Sequence, residues 1–188
     1  NDILDLAVAP DSSAVVMALT QGVLSFFDEN FKEKWKKKLG GEIVDIVVSG
    51  GPQPRTAVLS IRRINAKDGG QRLLLFDHEG RETDSISLPA HVDQIQINPE
   101  GSLVFAYGNG PQGQFLGGFS IDGQSKIKKD WQYQDPHYAD FTSRLVLSGE
   151  MIVAGFENVF PTGQKPSQSF SHLFFFNLQG KVVSDVPI

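Results

Sequence analysis

Cysteine is missing from all 188 residues. That excludes disulfides, thiolate metal sites and cysteine nucleophiles together. It leaves cytoplasm and bacterial periplasm equally open. No apolar run approaches the ~18 residues that would suggest a membrane-crossing helix. No Asn-x-Ser/Thr sequon is present, so glycosylation gives no sign of secretion. An excess of positive charge is lacking too. Seventeen Lys and Arg against 22 Asp and Glu leave a net charge of −5. Nucleic acid is therefore a poor candidate for the main partner, because phosphate binding needs a basic footprint. The chain opens at Asn1 without an initiator Met, which predicts a processed chain or an excerpt of a longer one. A removed leader favours a periplasmic or extracellular setting over a cytoplasmic one.

What is present is a repeat. No stretch keeps a 3.6-residue apolar period with caps, so few helices are expected. Instead, short runs rich in Val, Ile, Leu and Phe recur between Gly, Pro, Asp and Asn, the pattern of strands and turns. Four segments align, at approximately 1–40, 41–90, 91–138 and 139–188. The first holds Ile3 to Val8, Ala14 to Leu19, Val23 to Asp28 and a run from Trp35 to Leu39. The second holds Ile43 to Val48, Thr56 to Ile61, Arg72 to Asp77 and Glu82 to Leu88. The third holds Val92 to Ile97, Leu103 to Tyr107, Phe115 to Asp122 and Lys126 to Trp131. The fourth holds Asp140 to Leu147, Met151 to Phe156, His172 to Asn177 and Lys181 to Val186. Each segment reads as four strands, A to D. One marker is an Asp in strand A, at 5, 45, 93 and 140. A second closes strand C, at Asp28, Asp77, Asp122 and Asn177. Spacings of 40 to 55 residues suit the blades of a β-propeller.

Gly22-Val23-Leu24-Ser25-Phe26-Phe27-Asp28, with Trp35 seven residues later, resembles the pyrroloquinoline-quinone-like (PQQ-like) propeller repeat. The turns Pro10-Asp11-Ser12 and Pro99-Glu100-Gly101 are similar to those of WD40-type blades. By this spacing the Trp is found only in the first segment. The resemblance implies an all-β fold of four four-stranded antiparallel blades. It also implies functions dominated by protein–protein assembly, with a minority of enzymes. The chain starts at a strand A and ends at a strand D, so it lacks the closure in which one blade combines strands from both ends. A partial or half propeller of a larger ring is expected, with the flat faces of its terminal blades exposed.

Candidate chemistry is sparse. Gly108-Asn109-Gly110-Pro111-Gln112-Gly113 matches G-x-G-x-x-G, but a dinucleotide site needs that motif to open a helix. Here Pro111 interrupts it and a strand follows, so a loop is predicted. Ser120 lacks the nucleophile-elbow spacing. The histidines at 78, 91, 137 and 172 lie far apart, with no H-E-x-x-H. Asp28-Glu29-Asn30 lacks the glycine and glutamate of a calcium loop and reads as a C–D turn. The recurring strand-A Asp residues suggest side chains that bond backbone amides, in preference to a metal ring. Lys34, Lys36 and Lys38 read as a charged outer edge that blocks aggregation. No catalytic residue, metal or cofactor is expected.

Loop lengths point to one rim. The B–C and D–A connections share one face of a blade run, and the B–C ones are longer in the second, third and fourth segments than in the first. They span 20–22, then 62–71, then 108–114, then 157–171, and the D–A link 132–139 is long as well. Binding tends to reside on long loops held by a rigid scaffold. These loops and their flanks carry Arg62, Arg63, Lys67, Trp131, Tyr133, His137, Tyr138, Phe160, Lys165 and Phe170. Aromatic and Arg residues are the types enriched at interface hot spots. The expectation is a non-enzymatic scaffold for a protein partner, with self-association or further blades of the parent chain completing the ring. Two rival expectations remain. One is a fragment of a ligand-binding or catalytic propeller, such as a quinoprotein-like oxidoreductase or a hydrolase. The other is a carbohydrate surface using Trp131, Tyr133 and Tyr138 as stacking platforms.

Overall fold

The structure is a computed structural model that describes residues 2–61, 70–88, 91–110, 113–135, 145–157 and 171–187. Sixteen strands and no helix occur among the described residues, in four sheets of four. The first sheet is β1 (Ile3–Val8), β2 (Ala14–Leu19), β3 (Val23–Asp28) and β4 (Glu33–Lys38). The second is β5 (Glu42–Val48), β6 (Thr56–Ile61), β7 (Gln71–Phe76) and β8 (Glu82–Ser87). The third is β9 (His91–Ile97), β10 (Leu103–Gly110), β11 (Gly113–Ile121) and β12 (Ile127–Asp135). The fourth is β13 (Leu145–Ser148), β14 (Met151–Glu157), β15 (Ser171–Asn177) and β16 (Val182–Pro187). Every sheet is an antiparallel meander in chain order. These are the four propeller blades that the repeat predicts, and the sheets do not close into a ring.

The residue types explain the layering. β6 and β7, Thr-Ala-Val-Leu-Ser-Ile and Gln-Arg-Leu-Leu-Leu-Phe, are buried almost throughout. Such strands lie between two neighbouring sheets, so neither face needs polar residues. The outer strands β4 and β8 are polar and exposed by comparison. Three apolar clusters fill the spaces between successive blades. Val16, Phe26, Ile46 and Phe76 belong to the first. Leu59, Leu75, Ile95 and Phe119 belong to the second. Phe105, Leu116, Ile152 and Phe176 belong to the third.

The strand-C marker makes the C–D turns. Asp28 Oδ1 accepts the Asn30 and Lys32 amides, each at 3.0 Å. Asp77, Asp122 and Asn177 repeat the arrangement. A short side chain that bonds amides two and four residues on reinforces the backbone bonds that close each hairpin.

Four expectations need correction. A β-bulge in strand D places Trp35 opposite Phe26 in the first blade and Trp131 opposite Gly118 in the third. Trp131, the residue after the bulge, therefore plays the part of Trp35 in the third blade, displaced because the bulge lies two residue pairs farther from the C–D turn. The D–A link does not begin at 132, because β12 runs to Asp135. Residues 108–110 and 113–114 are strand and not loop, since β10 reaches Gly110 and β11 begins at Gly113. In strand A the bulge falls at Leu4 and Val44 in the first two blades but at Asp93 in the third. Gln94, not Asp93, thus occupies the place of Asp5 and Asp45. Asp140 lies outside the described residues.

Each Trp clamps the next blade at the outer rim. Trp35 Nε1 donates to the His78 carbonyl at 3.1 Å, and Trp131 Nε1 to the Leu178 carbonyl at 2.9 Å. The indoles lie against Gly80 and Gly180, at φ +79° and +77°. A Cβ on either glycine would sit 2.7 Å or 2.3 Å from the ring. Gly180→Ala should cost roughly 2–4 kcal/mol, from left-handed backbone strain plus overpacking. Gly149→Ala, also at positive φ (+57°) but facing open space, should cost only about 1–2 kcal/mol. Urea unfolding of the two variants checks the difference.

Candidate interaction surfaces

The inner edge of each blade is its strand A, whose outward N–H groups have no ladder partner. Side chains from the preceding blade fill that need. Asp5 Oδ2 accepts the Ile46 amide at 3.1 Å, Asp45 Oδ2 accepts that of Ile95 at 2.7 Å, and Gln94 Oε1 accepts that of Leu145 at 2.9 Å. Ile46 N–H also meets Asp45 Oδ1 at 2.9 Å, so two carboxylates converge on one donor. Burial pushes the Asp45 carboxyl up to about 7, and the charge of Asp5 adds to the rise against the Ile95 bond. Gln94 performs the same task without charge.

Further bonds join the blades at the A–B turns. Asp11 accepts the Gly51 amide at 2.7 Å. Bonds from Ser13 and from Gly51 hold its carboxyl down at about 2. Arg55 Nη1 donates to the Gly101 carbonyl at 2.8 Å. Buried Gln71 clamps the Val92 backbone through both ends of its amide. The register puts buried Gln114 at the corresponding place in the third blade. Neither glutamine stands out in the sequence, because only the strand register shows that they correspond.

The terminal blades carry apolar surface that no blade covers. Ile3, Leu6 and Val8 are 61%, 54% and 54% exposed. Their register equivalents are Ile43, Ile46 and Val48 in the second blade and Val92, Ile95 and Ile97 in the third, all buried. At the other end Val146, Val183 and Val186 are exposed. Burying a Val, Leu or Ile contributes about 1.5–3 kcal/mol. The first blade alone therefore forgoes on the order of 5 kcal/mol.

Of the ten residues assigned to the loop rim from sequence, the structure describes two. Trp131 is half-buried in the clamp on the fourth blade. Tyr133 is half-buried on β12, its ring 5.9 Å from Phe174 and 5.0 Å from Phe176. Both pack the third blade on the fourth. Arg62, Arg63, Lys67, His137, Tyr138, Phe160, Lys165 and Phe170 lie outside the described residues. The described part of this rim has an open hollow between the first two blades, lined by Leu4, Thr20, Gln21, Lys38 and Leu39 among others. Among the described residues, no group of three or more His, Asp or Glu could hold a metal ion. No described helix is long and apolar enough to cross a membrane.

No protein-family model matches the chain, and no curated protein does. Solved structures do match. The whole chain superposes on hydrazine synthase from Kuenenia stuttgartiensis with a TM-score of 0.71 at 15% identity, covering 54% of that chain. It superposes on a functionally unknown protein from Desulfotomaculum acetoxidans with a TM-score of 0.62 at 13% identity, covering 70% of that chain. The β-propeller domain of Cps50 (Swd1) from Myceliophteria thermophila gives 0.46 at 10% identity, over 98% of this chain and 73% of that one. The chain thus spans about half the length of the hydrazine synthase chain that it matches. What is shared is the fold: a run of propeller blades.

The Asp5–Asp45 pair makes stability depend on pH. Folded, Asp45 keeps its proton to about 7. Unfolded, it releases it near 4. The folded chain therefore binds the extra proton between these values, and stability falls as pH rises from 4 to 7. Asp45→Asn keeps an acceptor for Ile95 and removes the charge. It should be more stable than the parent at pH 8, by on the order of 1–2 kcal/mol after screening. Thermal melts from pH 5 to 8 should show a decline for the parent and a flatter line for the variant.

Proposed function

We propose that the chain is a non-enzymatic scaffold, a subunit or domain of a larger assembly, that works by docking protein onto its blades. The observation that carries this reading is the apolar surface left over in register. Positions that are buried between blades in the second and third repeats are open in the first. Soluble proteins rarely leave contiguous apolar patches without a use, and such patches mark interaction sites. Aromatic and Arg residues that the sequence assigns to the B–C and D–A loops, such as Tyr138 and Phe160, are the second surface in this reading. Asp5, Asp45 and Gln94 act in joining successive blades, as the parts of a scaffold do.

Affinity purification of the tagged chain from its source cells, read by mass spectrometry, tests this reading. Leu6→Lys should deplete the recovered proteins about tenfold, as losing an apolar anchor worth ~1.4 kcal/mol would. The pair Tyr138→Ala and Phe160→Ala should deplete them too, with the melting temperature within about 2 °C of the parent if these rings serve binding and not packing. A large fall in melting temperature for the aromatic pair would instead assign those rings to packing. Identical recoveries for all variants would exclude both surfaces.

A further inference from the structure

We propose that the cleft between the first and second blades is a carboxylate site that takes an acidic side chain, Asp or Glu, of a partner protein. The proposal rests on the reading above that the chain docks protein, and it adds the chemistry of one contact. Two joints that share a register carry it.

At the joint of the third and fourth blades the space is filled. Tyr133, two residues after Trp131, sets its ring against Phe174 and Phe176. His172 stacks on Phe174 at 5.9 Å, and its Nδ1 meets Asp185 Oδ1 at 2.6 Å. The imidazole therefore has a carboxylate beside it.

At the joint of the first and second blades the same positions hold other residues. Lys37, two residues after Trp35, stands where Tyr133 does. Arg72 and Leu74 stand where His172 and Phe174 do. Ser85 stands where Asp185 does. Slimmer side chains replace the Tyr and Phe rings, and a cleft of about 250 Å³ opens, lined by Lys37, Leu39, Arg72, Leu74 and Glu82 among others. The carboxylate is gone as well. Arg72 Nη2 donates to Ser85 Oγ. Lys37 Nζ donates to the Gly80 carbonyl at 3.3 Å and lies 5.1 Å from the centre of the Phe76 ring. Arg72 and Lys37 are both half-buried. Among the described residues, no carboxylate forms an ion pair with either, Glu82 included.

A guanidinium has five N–H donors in a planar fork that matches a carboxylate through two parallel bonds. Half-buried and without a counter-charge, Arg72 favours an oxyanion from outside the chain. Asp185, at the register equivalent of Ser85, shows that a carboxylate suits the place beside the cation. The Lys37 ammonium adds a second positive charge. Leu39 and Leu74, both buried, offer apolar wall to the methylene stem of the incoming side chain. The cleft is smaller than the ~300–1,000 Å³ of sites that enclose a drug-sized ligand. A single side chain fits it better than a whole cofactor.

Nuclear magnetic resonance of the isotope-labelled, full-length protein tests the proposal. The probe is an end-blocked Leu-Glu-Leu peptide, and its Leu-Gln-Leu analogue is the control. The Glu peptide should shift the Arg72 side-chain signal saturably, and the Gln peptide should leave it in place. Arg72→Gln should weaken binding of the Glu peptide at least about tenfold, read from other shifted signals of the cleft. Ser85→Asp should weaken it as much, because its carboxylate would occupy Arg72 from within, as Asp185 occupies His172. Its melting temperature should not fall below that of the parent. Far-ultraviolet circular dichroism checks that both variants are folded. No shift with the Glu peptide, an equal shift with the Gln peptide, or a folded Ser85→Asp protein that binds like the parent would each overturn the proposal. Inorganic phosphate or free glutarate that shifts the Arg72 signal where the Glu peptide fails would assign the cleft to a small anion and remove the acidic partner. Affinity purification separates this site from the scaffold reading. If Arg72→Gln recovers the parent's proteins while Leu6→Lys loses them, the carboxylate site falls and the scaffold stands.

Discussion

A β-sheet's edge strand has backbone N–H groups that its own sheet cannot pair. In this chain the problem recurs four times, because every blade ends inward in a strand A. The solution at the second, third and fourth inner edges is an acceptor lent by the blade before. Asp5, Asp45 and Gln94 reach forward to Ile46, Ile95 and Leu145. The bulge one residue earlier is what aims these side chains at the next blade. Blade order, spacing and burial all depend on this contact. Once the inner edges are joined, the apolar faces of β6, β7, β10 and β11 have a neighbour on each side.

The acceptor chosen has a cost. Two successive aspartates bring two carboxylates to one amide, and the buried one holds its proton far above the ordinary range. The third blade avoids the conflict with an amide. The outer rim follows another chemistry, with indole N–H groups on carbonyls at two junctions and an ionic contact at the junction between them. Inner and outer joints thus respond to different conditions. Protonation acts on the first, and ionic strength acts on the middle junction of the second.

The blades and their turns were readable because strand A to strand D repeats in composition. Asp28, Asp77, Asp122 and Asn177 stood out as turn residues for a local reason, since their side chains bond amides two and four residues away. Pairings across bulges were not readable. A bulge shifts a strand by one residue, so Asp93 looked like the counterpart of Asp45 when Gln94 holds that place. A bulge two residue pairs farther from the turn hid Trp131 in the same way. Trp131 and Tyr133 look like binding aromatics in sequence because a strand that runs on to Asp135 reads, residue by residue, like a loop. That they pack the third blade on the fourth depends on contacts about 45 residues away, which composition does not encode. The loop rim was legible only as lengths and residue types.

The alternation at the outer rim bears on how such a chain can be lengthened or rearranged. First and third blades donate an indole, while second and fourth receive it on a glycine. A single blade copied in tandem would set an indole against a turn unable to take it, or leave a glycine with nothing upon it. A pair of blades copied together would carry both halves of each contact. The indole–glycine contact is then a property of a pair of blades, the first with the second and the third with the fourth.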